Sequence, residues 1–203
     1  MSDGYPDPRE CLAAFLALGA AEVLAGVKPA NLLRISNRTY SCGRNMYQLW
    51  QDYGQELLAD SPMVATSMRN DDGGVLLLIY STQILQRRLN SRCSHTFLTS
   101  LHYDAPGNIE HTLQQLASRF IDNEFPHEIG VFLGYPLKDV AAFMGRSHLP
   151  VSSQRLWKIY GRSRRSETLA DLYLHHHGVV VTQLRQRRGA SFRLLKGGAL
   201  RHG

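Results

Sequence analysis

His127 and Glu128 form the adjacent acid–base pair that the sequence places in its most constrained setting. The surrounding run, Phe125 to Val140, holds two prolines and two glycines within sixteen residues. A histidine beside a carboxylate can shuttle protons or bind a metal. Adjacent residues of a helix point about 100° apart, so the two side chains need not converge on one ligand. The alternative is that Glu128 stabilises a helix dipole while His127 is exposed or hydrogen-bonded.

His175–His177 is a second candidate feature for metal binding. On a helix at most one or two of three consecutive side chains share a face, so a solvated cluster is the favoured interpretation. The His-Glu-x-x-His motif of zinc proteases fails because Val131 occupies the second histidine position. The common nucleotide-binding and esterase signatures are also absent, which weakens the case for an enzyme without excluding it. The residues identify no particular metal or cofactor.

The run 126–145 is typical of two short helices joined by a tight turn. Pro126 and Pro136 suit the first position of a helix, and Gly134 suits the left-handed residue that ends one. The two helices are expected to share a core. The residues predicted to face inward are Ile129, Phe132, Leu133, Val140, Phe143 and Met144.

The same run also has the outline of a DNA-binding helix-turn-helix. The C-terminal quarter, Arg155 to Gly203, is basic, with eleven lysines and arginines against two acidic residues. A nucleic acid or another acidic partner is therefore a candidate. Because the second helix offers only Lys138 and Asp139 as polar side chains, a packing role is favoured over base recognition.

The composition predicts a soluble globular protein. The 203 residues, 43% hydrophobic and 20% charged, suit a single domain, 1–203, with flexible ends at about 1–6 and 194–203. The longest apolar run, Leu12 to Ala21, is about half of the roughly 20 residues that span a bilayer, so no membrane insertion is expected. Three distant cysteines and an N-terminus without a basic flank predict a cytoplasmic location.

Hydrophobic periodicity and capping signals locate the elements. The connector 70–74 predicts an antiparallel hairpin, whose second strand is apolar on both faces and hence central. For 169–188 one helix is favoured over a helix broken at Gly178 and followed by a strand. Together these predict an α+β fold, with a small mixed or antiparallel sheet of about four strands covered by helices. Helices are predicted at 8–19, 20–25, 44–58, 82–89, 93–102 and 109–120, and strands at 32–35, 63–68, 75–81 and 156–160.

Three stretches, residues 24–32, 125–140 and 157–161, resemble the bacterial family known as domain of unknown function 3793. The resemblance covers nearly the whole chain. It implies a cytoplasmic bacterial protein with a loose link to iron or redox metabolism, and it implies no particular activity, ligand or cofactor. The matched polar and amphipathic positions are the candidate ligand-binding residues: Lys28, Asn31, His127, Glu128, Tyr135, Trp157, Lys158 and Tyr160.

Three functions follow as hypotheses. The first is a ligand- or metal-binding accessory protein with His127 and Glu128 near its site. The second is a nucleic-acid-binding protein that uses residues 126–145 and the basic C-terminal quarter. The third is an enzyme of unknown chemistry.

Overall fold

A computed structural model of the chain describes residue 5 and residues 7–104, 106–120, 125–186 and 190–197. These residues form ten helices and five strands. The helices are α1 (Pro8–Gly19), α2 (Ala21–Leu24), α3 (Met46–Ala59), α4 (Thr82–Asn90), α5 (Arg92–Thr99), α6 (Ile109–Ala117), α7 (Ile129–Phe132), α8 (Leu137–Phe143), α9 (Arg164–Gln186) and α10 (Ala190–Leu195). The strands are β1 (Ala30–Ser36), β2 (Val64–Asp71), β3 (Gly74–Tyr80), β4 (Val151–Gln154) and β5 (Lys158–Tyr160).

The first three strands form an antiparallel sheet in the order β1-β3-β2. Every residue of the central strand β3 is buried. Val75, Leu77 and Ile79 contact the core on one face of the sheet, while alternate residues contact the core on the other. This two-sided burial explains why the strand is a continuous apolar run rather than an alternating one.

Helices cover both faces of this sheet. On one face α1, α2, α3 and α10 pack around Leu12, Leu16 and Leu77. On the other face α4 to α8 pack around Leu78, Leu85 and Phe132. The sheet is thus the middle of three layers.

The remaining strands, β4 and β5, form a separate two-stranded antiparallel sheet. Its β5 strand packs against α8. Trp157 and Ile159 contact Ala170 and Tyr173 of α9 in a small third cluster of buried side chains. The hairpin therefore fills the gap between α8 and α9.

The structure confirms the α+β class, the β2–β3 hairpin and the central position of β3. It also confirms one continuous helix across Gly178, because α9 runs unbroken from Arg164 to Gln186. The strands divide between two sheets, and β4 was not predicted. Helix α5 ends at Thr99 rather than at residue 102, where His102 has a left-handed backbone with φ of 63°.

Within the run 126–145, two details of the prediction were wrong. Helix α7 begins at Ile129, so Pro126 lies in the turn before it, while Pro136 caps α8. Phe143 does not face inward, since 46% of it is exposed. Gly134 does adopt the predicted left-handed conformation between the helices, with φ of 81°.

The predicted flexible ends lie mostly outside the described residues, although Leu194 and Leu195 within α10 are buried. Across the described ranges, no helix is both long enough and apolar enough to traverse a bilayer.

Candidate functional site

A cavity of about 430 Å³ lies between the α7–α8 pair and the β4–β5 hairpin. Its lining is mostly apolar and includes four aromatic rings, from Phe125, Tyr135, Phe143 and Trp157. Ile129, Gly130 and Val140 complete the apolar lining, and His127, Asp139, Gln154 and Lys158 supply its polar groups.

The turn between α7 and α8 shapes the cavity. At Gly130 a β-carbon would come within 2.8 Å of Val140, so glycine lets the two helices approach closely. Arg88 of α4 fixes the turn from behind, because its guanidinium donates to the backbone carbonyls of Val131 at 3.2 Å and Tyr135 at 2.5 Å. The position of the Tyr135 ring is thereby tied to the core.

One wall consists of two stacked rings. Tyr135 and Trp157 lie with their ring centres 4.4 Å apart and their planes 21° from parallel. The Trp157 indole is oriented by a hydrogen bond from Nε1 to Oδ2 of Asp139, at 3.0 Å. Stacking and this hydrogen bond together hold the two rings of this wall in place.

Asp139 is a buried carboxylate with four hydrogen-bond donors. Its Oδ1 accepts from the Lys138 ammonium at 2.6 Å and the Tyr160 backbone N–H at 2.9 Å. Its Oδ2 accepts from Ser166 Oγ at 2.6 Å as well as from Trp157. Burial acts to raise the pKa of this carboxyl, but the four donors outweigh burial and hold the pKa below its usual value. Asp139 is therefore an ionised structural link between α8, β5 and α9 rather than a general base.

The open end of the cavity carries exposed aromatic and basic groups. Phe125 and Phe143 are 45% and 46% exposed. The His127 ring meets the Phe143 ring edge to face at 4.9 Å, and the Lys158 ammonium lies 5.9 Å from the centre of the same ring. Within the described part of the chain, neither His127 nor Lys158 forms an ion pair with a carboxylate.

Four of the candidate residues from the sequence, His127, Tyr135, Trp157 and Lys158, line this one cavity. Glu128 points away from it into the core. There it accepts hydrogen bonds from Tyr103 at 3.2 Å and from Arg119 at 3.0 Å. His127 and Glu128 therefore do not act on a common ligand. The sequence analysis allowed for this outcome, because adjacent residues of a helix point about 100° apart.

Lys28 and Asn31 lie behind the aromatic wall. The Asn31 amide donates to Oε2 of Glu22 at 2.5 Å, and Oε1 of Glu22 lies 3.3 Å from His177 Nδ1. The buried Lys28 ammonium lies 5.6 Å from the ring centre of Tyr135 and 5.1 Å from that of Tyr173. Burial lowers the pKa of Lys28 to about 8, and the nearby Glu22 carboxylate offsets part of that shift. Lys28 therefore contacts a ring of the wall, whereas Asn31 bonds to Gly19 and Glu22, and neither residue lines the cavity.

Tyr160 contributes through its backbone and its buried position beside Asp139. Its N–H donates to the carboxylate, and its carbonyl accepts a hydrogen bond from Lys138 at 2.5 Å. Lys138 and Asp139, the only polar side chains of the proposed DNA-reading helix, are thus both bonded within the protein.

The histidine tract is spread around α9. His175 is exposed, His176 is buried and His177 faces Glu22. Among the residues that the structure describes, no three histidine, cysteine or acidic side chains come together to hold a metal ion.

The sequence did not single out Asp139, Phe143, Phe125 or Gln154 as site residues. Their roles depend on the hairpin 151–160 packing against α8, which is a contact between distant parts of the chain. The one local signal was Asp139 itself, an acid in the first turn of a short helix after Pro136.

Comparison with known proteins gives one match. A family model described as Protein of unknown function (DUF3793) matches residues 16–192. Searches of curated proteins and of solved structures found no match.

Proposed function

We propose a function from the cavity, because the chain belongs to the family described as Protein of unknown function (DUF3793), which carries no assigned activity. The protein binds a small, mainly apolar organic molecule. The ligand lies between the α7–α8 pair and the β4–β5 hairpin. Its apolar part contacts the Tyr135–Trp157 wall and Phe143.

The observation that carries this proposal is an aromatic cavity that remains open in a well-packed domain. Its volume of about 430 Å³ falls within the range of roughly 300–1,000 Å³ typical of small-molecule sites. Phe125 and Phe143 expose aromatic surface at its mouth, which costs free energy in water unless a ligand covers it.

The other hypotheses receive less support. A nucleic-acid-binding helix needs outward polar side chains, whereas Lys138 and Asp139 are bonded inward. A metal-binding or iron-related role has no ligand cluster among the described residues. We therefore confine the proposal to an organic ligand. We further propose that the protein is cytoplasmic and bacterial, which agrees with Cys11, Cys42 and Cys93 forming no disulfide in the described part of the chain.

The neutral fluorophore N-phenylnaphthylamine tests the proposal, because its two aromatic ring systems match the apolar lining. A Trp50→Phe background leaves Trp157 as the only tryptophan, so its emission reports occupancy of the cavity. We expect saturable binding that changes Trp157 emission. Phe143→Ala, which removes part of one wall, should weaken binding about tenfold, equivalent to roughly 1.4 kcal/mol.

The matched control is Leu174→Ala. Leu174 and Phe143 are both 46% exposed, but Leu174 is on α9 and does not line the cavity. Its replacement should leave binding unchanged. Equal losses in the two variants would mean that the probe adsorbs to exposed apolar surface, and the proposed function would then be wrong.

A further inference from the structure

Building on the proposed function, we infer that the ligand is a planar aromatic acid whose negatively charged group lies at the mouth of the cavity, between Lys158 and His127. The ring system lies deeper, against Trp157. Charge, rather than shape alone, then selects the ligand.

Both polar groups line the cavity and lie beside one aromatic ring. Both flank the same Phe143 ring, His127 at 4.9 Å and the Lys158 ammonium at 5.9 Å. Lysine offers a positive charge and three N–H donors, and histidine offers at least one ring N–H donor in either protonation state. A carboxylate or sulfonate beside Phe143 can accept from both.

The positive charge at the mouth is not neutralised from within the cavity. Asp139 is the one acidic residue among the lining residues described, and its two oxygens are occupied by four donors from Lys138, Trp157, Tyr160 and Ser166. It is also buried, whereas Lys158 is exposed. The carboxylate therefore serves the wall and leaves the lysine available.

The sequence around the hairpin is basic, since residues 145–166 include six lysines and arginines and no acidic residue. One of the six, Arg155, pairs with Asp171 at 3.6 Å. Lys158 is the one of the six that lines the cavity, and its charge favours an anion at the mouth over a cation.

The wall favours a planar ligand over a flexible chain. Tyr135 and Trp157 are nearly parallel and are fixed by stacking and by the Asp139 hydrogen bond. A rigid ring that lies against such a surface loses little conformational freedom on binding, whereas an alkyl chain must lose several rotamers.

The test compares two competitors of the same shape. Naphthoate and naphthamide differ in charge but hardly in size, and each can be titrated against bound N-phenylnaphthylamine. We expect naphthoate to displace the probe at a concentration at least tenfold lower than naphthamide does. In Lys158→Gln that advantage should fall to about threefold or less. The advantage is the ratio of the two competitors' concentrations in the same variant, so a change in probe affinity does not alter it.

Lys196→Gln is the matched control. Lys196 is an exposed lysine directly after α10, where it pairs with Asp60 at 2.8 Å. Its replacement should leave the naphthoate advantage unchanged. Added salt should weaken naphthoate and spare naphthamide. Equal competition by the two compounds would overturn the inferred acid but leave the proposed function intact. Failure of the neutral probe itself to bind would overturn both.

Discussion

At the scale of single residues, Lys28 shows how the cavity wall is supported from behind. It is a lysine of which only 7% is exposed, placed between the rings of Tyr135 and Tyr173. The rings attract its charged form, and Glu22 does so as well, but loss of water is the larger effect. The charge of Lys28 therefore costs the native state free energy at neutral pH.

Because the charged form of Lys28 destabilises the folded protein, the free energy of unfolding is predicted to depend on pH. The pKa of Lys28 is about 8 in the folded protein and 10.5 in the unfolded chain. Between these values the unfolded chain binds more protons, so the free energy of unfolding contributed by this residue rises with pH. Relative to Lys28→Met, the wild type should gain stability across this window, by an amount on the order of 3 kcal/mol at most.

Chemical denaturation of both proteins at intervals from pH 7 to pH 10.5 measures this difference. Below about pH 8 the difference between them should be constant. Lys196→Met, at an exposed site, should show no trend relative to wild type. A difference that is also flat for Lys28→Met would contradict the lowered pKa.

The family resemblance pointed to part of the cavity lining. Tyr135, Trp157 and Lys158 were candidates because they are polar or amphipathic positions in the matched stretches. Asp139 did not stand out, because its importance comes from donors 18 to 27 positions along the chain, in Trp157, Tyr160 and Ser166. Glu128 was considered as a partner of His127, but it lies in the turn before α7 and pairs with Arg119.

At the scale of elements, Gly134 controls how α7 meets α8. Its φ of 81° is a conformation that costs other residues about 1–2 kcal/mol. A β-carbon there would also lie 2.6 Å from Pro29 Cδ and 2.9 Å from the Tyr173 hydroxyl. We expect Gly134→Ala to lower the free energy of unfolding by about 3 kcal/mol.

Gly178 provides the opposite case in the same chain. It is an exposed residue within α9, and a β-carbon there meets no atom within 4 Å. Gly178→Ala should raise stability by roughly 0.5–1 kcal/mol, since alanine restricts the unfolded chain. Denaturation curves for both variants check the pair. A Gly134→Ala protein as stable as the wild type would show that the turn between α7 and α8 can rearrange.

The structure confirms one helix across Gly178 and supplies a reason for it that the sequence analysis did not use. The buried positions of α9 recur every three or four residues, at Ser166, Ala170, Tyr173, His176 and Val180, which is a helical pattern despite the β-branched valines. Strand β4 has no such pattern, because its side chains are mainly exposed. Strand β4 forms because it pairs with β5, and this pairing exists only in the folded protein.

At the scale of the whole molecule, stability is unevenly distributed between the two sheets. The central strand β3 is paired on both sides and buried on both faces. The β4–β5 hairpin has two short strands, and most of β4 is exposed. We expect hydrogen exchange of β3 amides to require global unfolding, whereas β4 amides exchange through local opening.

Hydrogen exchange measured with and without N-phenylnaphthylamine tests whether the probe binds in the cavity. Saturation should slow exchange in residues 125–158, the range that contains the residues lining the cavity. It should change β3 only by the global stabilisation that binding provides. Uniform slowing over the chain, with no added effect at the hairpin, would contradict a ligand at this position.

The division into two sheets could not be predicted from the sequence. Strand propensity indicated about four strands, but propensity alone does not determine how the strands divide between sheets. The sequence around Ile159 is compatible with a strand of a larger sheet and with a strand of a separate hairpin. The contacts of Ile159 with Ala170 and Tyr173 of α9 favour the separate hairpin, and these contacts depend on the complete tertiary fold.

The bonding of Asp139 has a consequence for how specificity could change over generations. The carboxylate and Trp157 serve folding and the cavity together, so substitutions there damage both. Phe125, Phe143, Gln154 and Lys158 project from the surface, and replacing them costs the core little. Substitutions at these four positions can therefore change which ligand is preferred while the protein still folds.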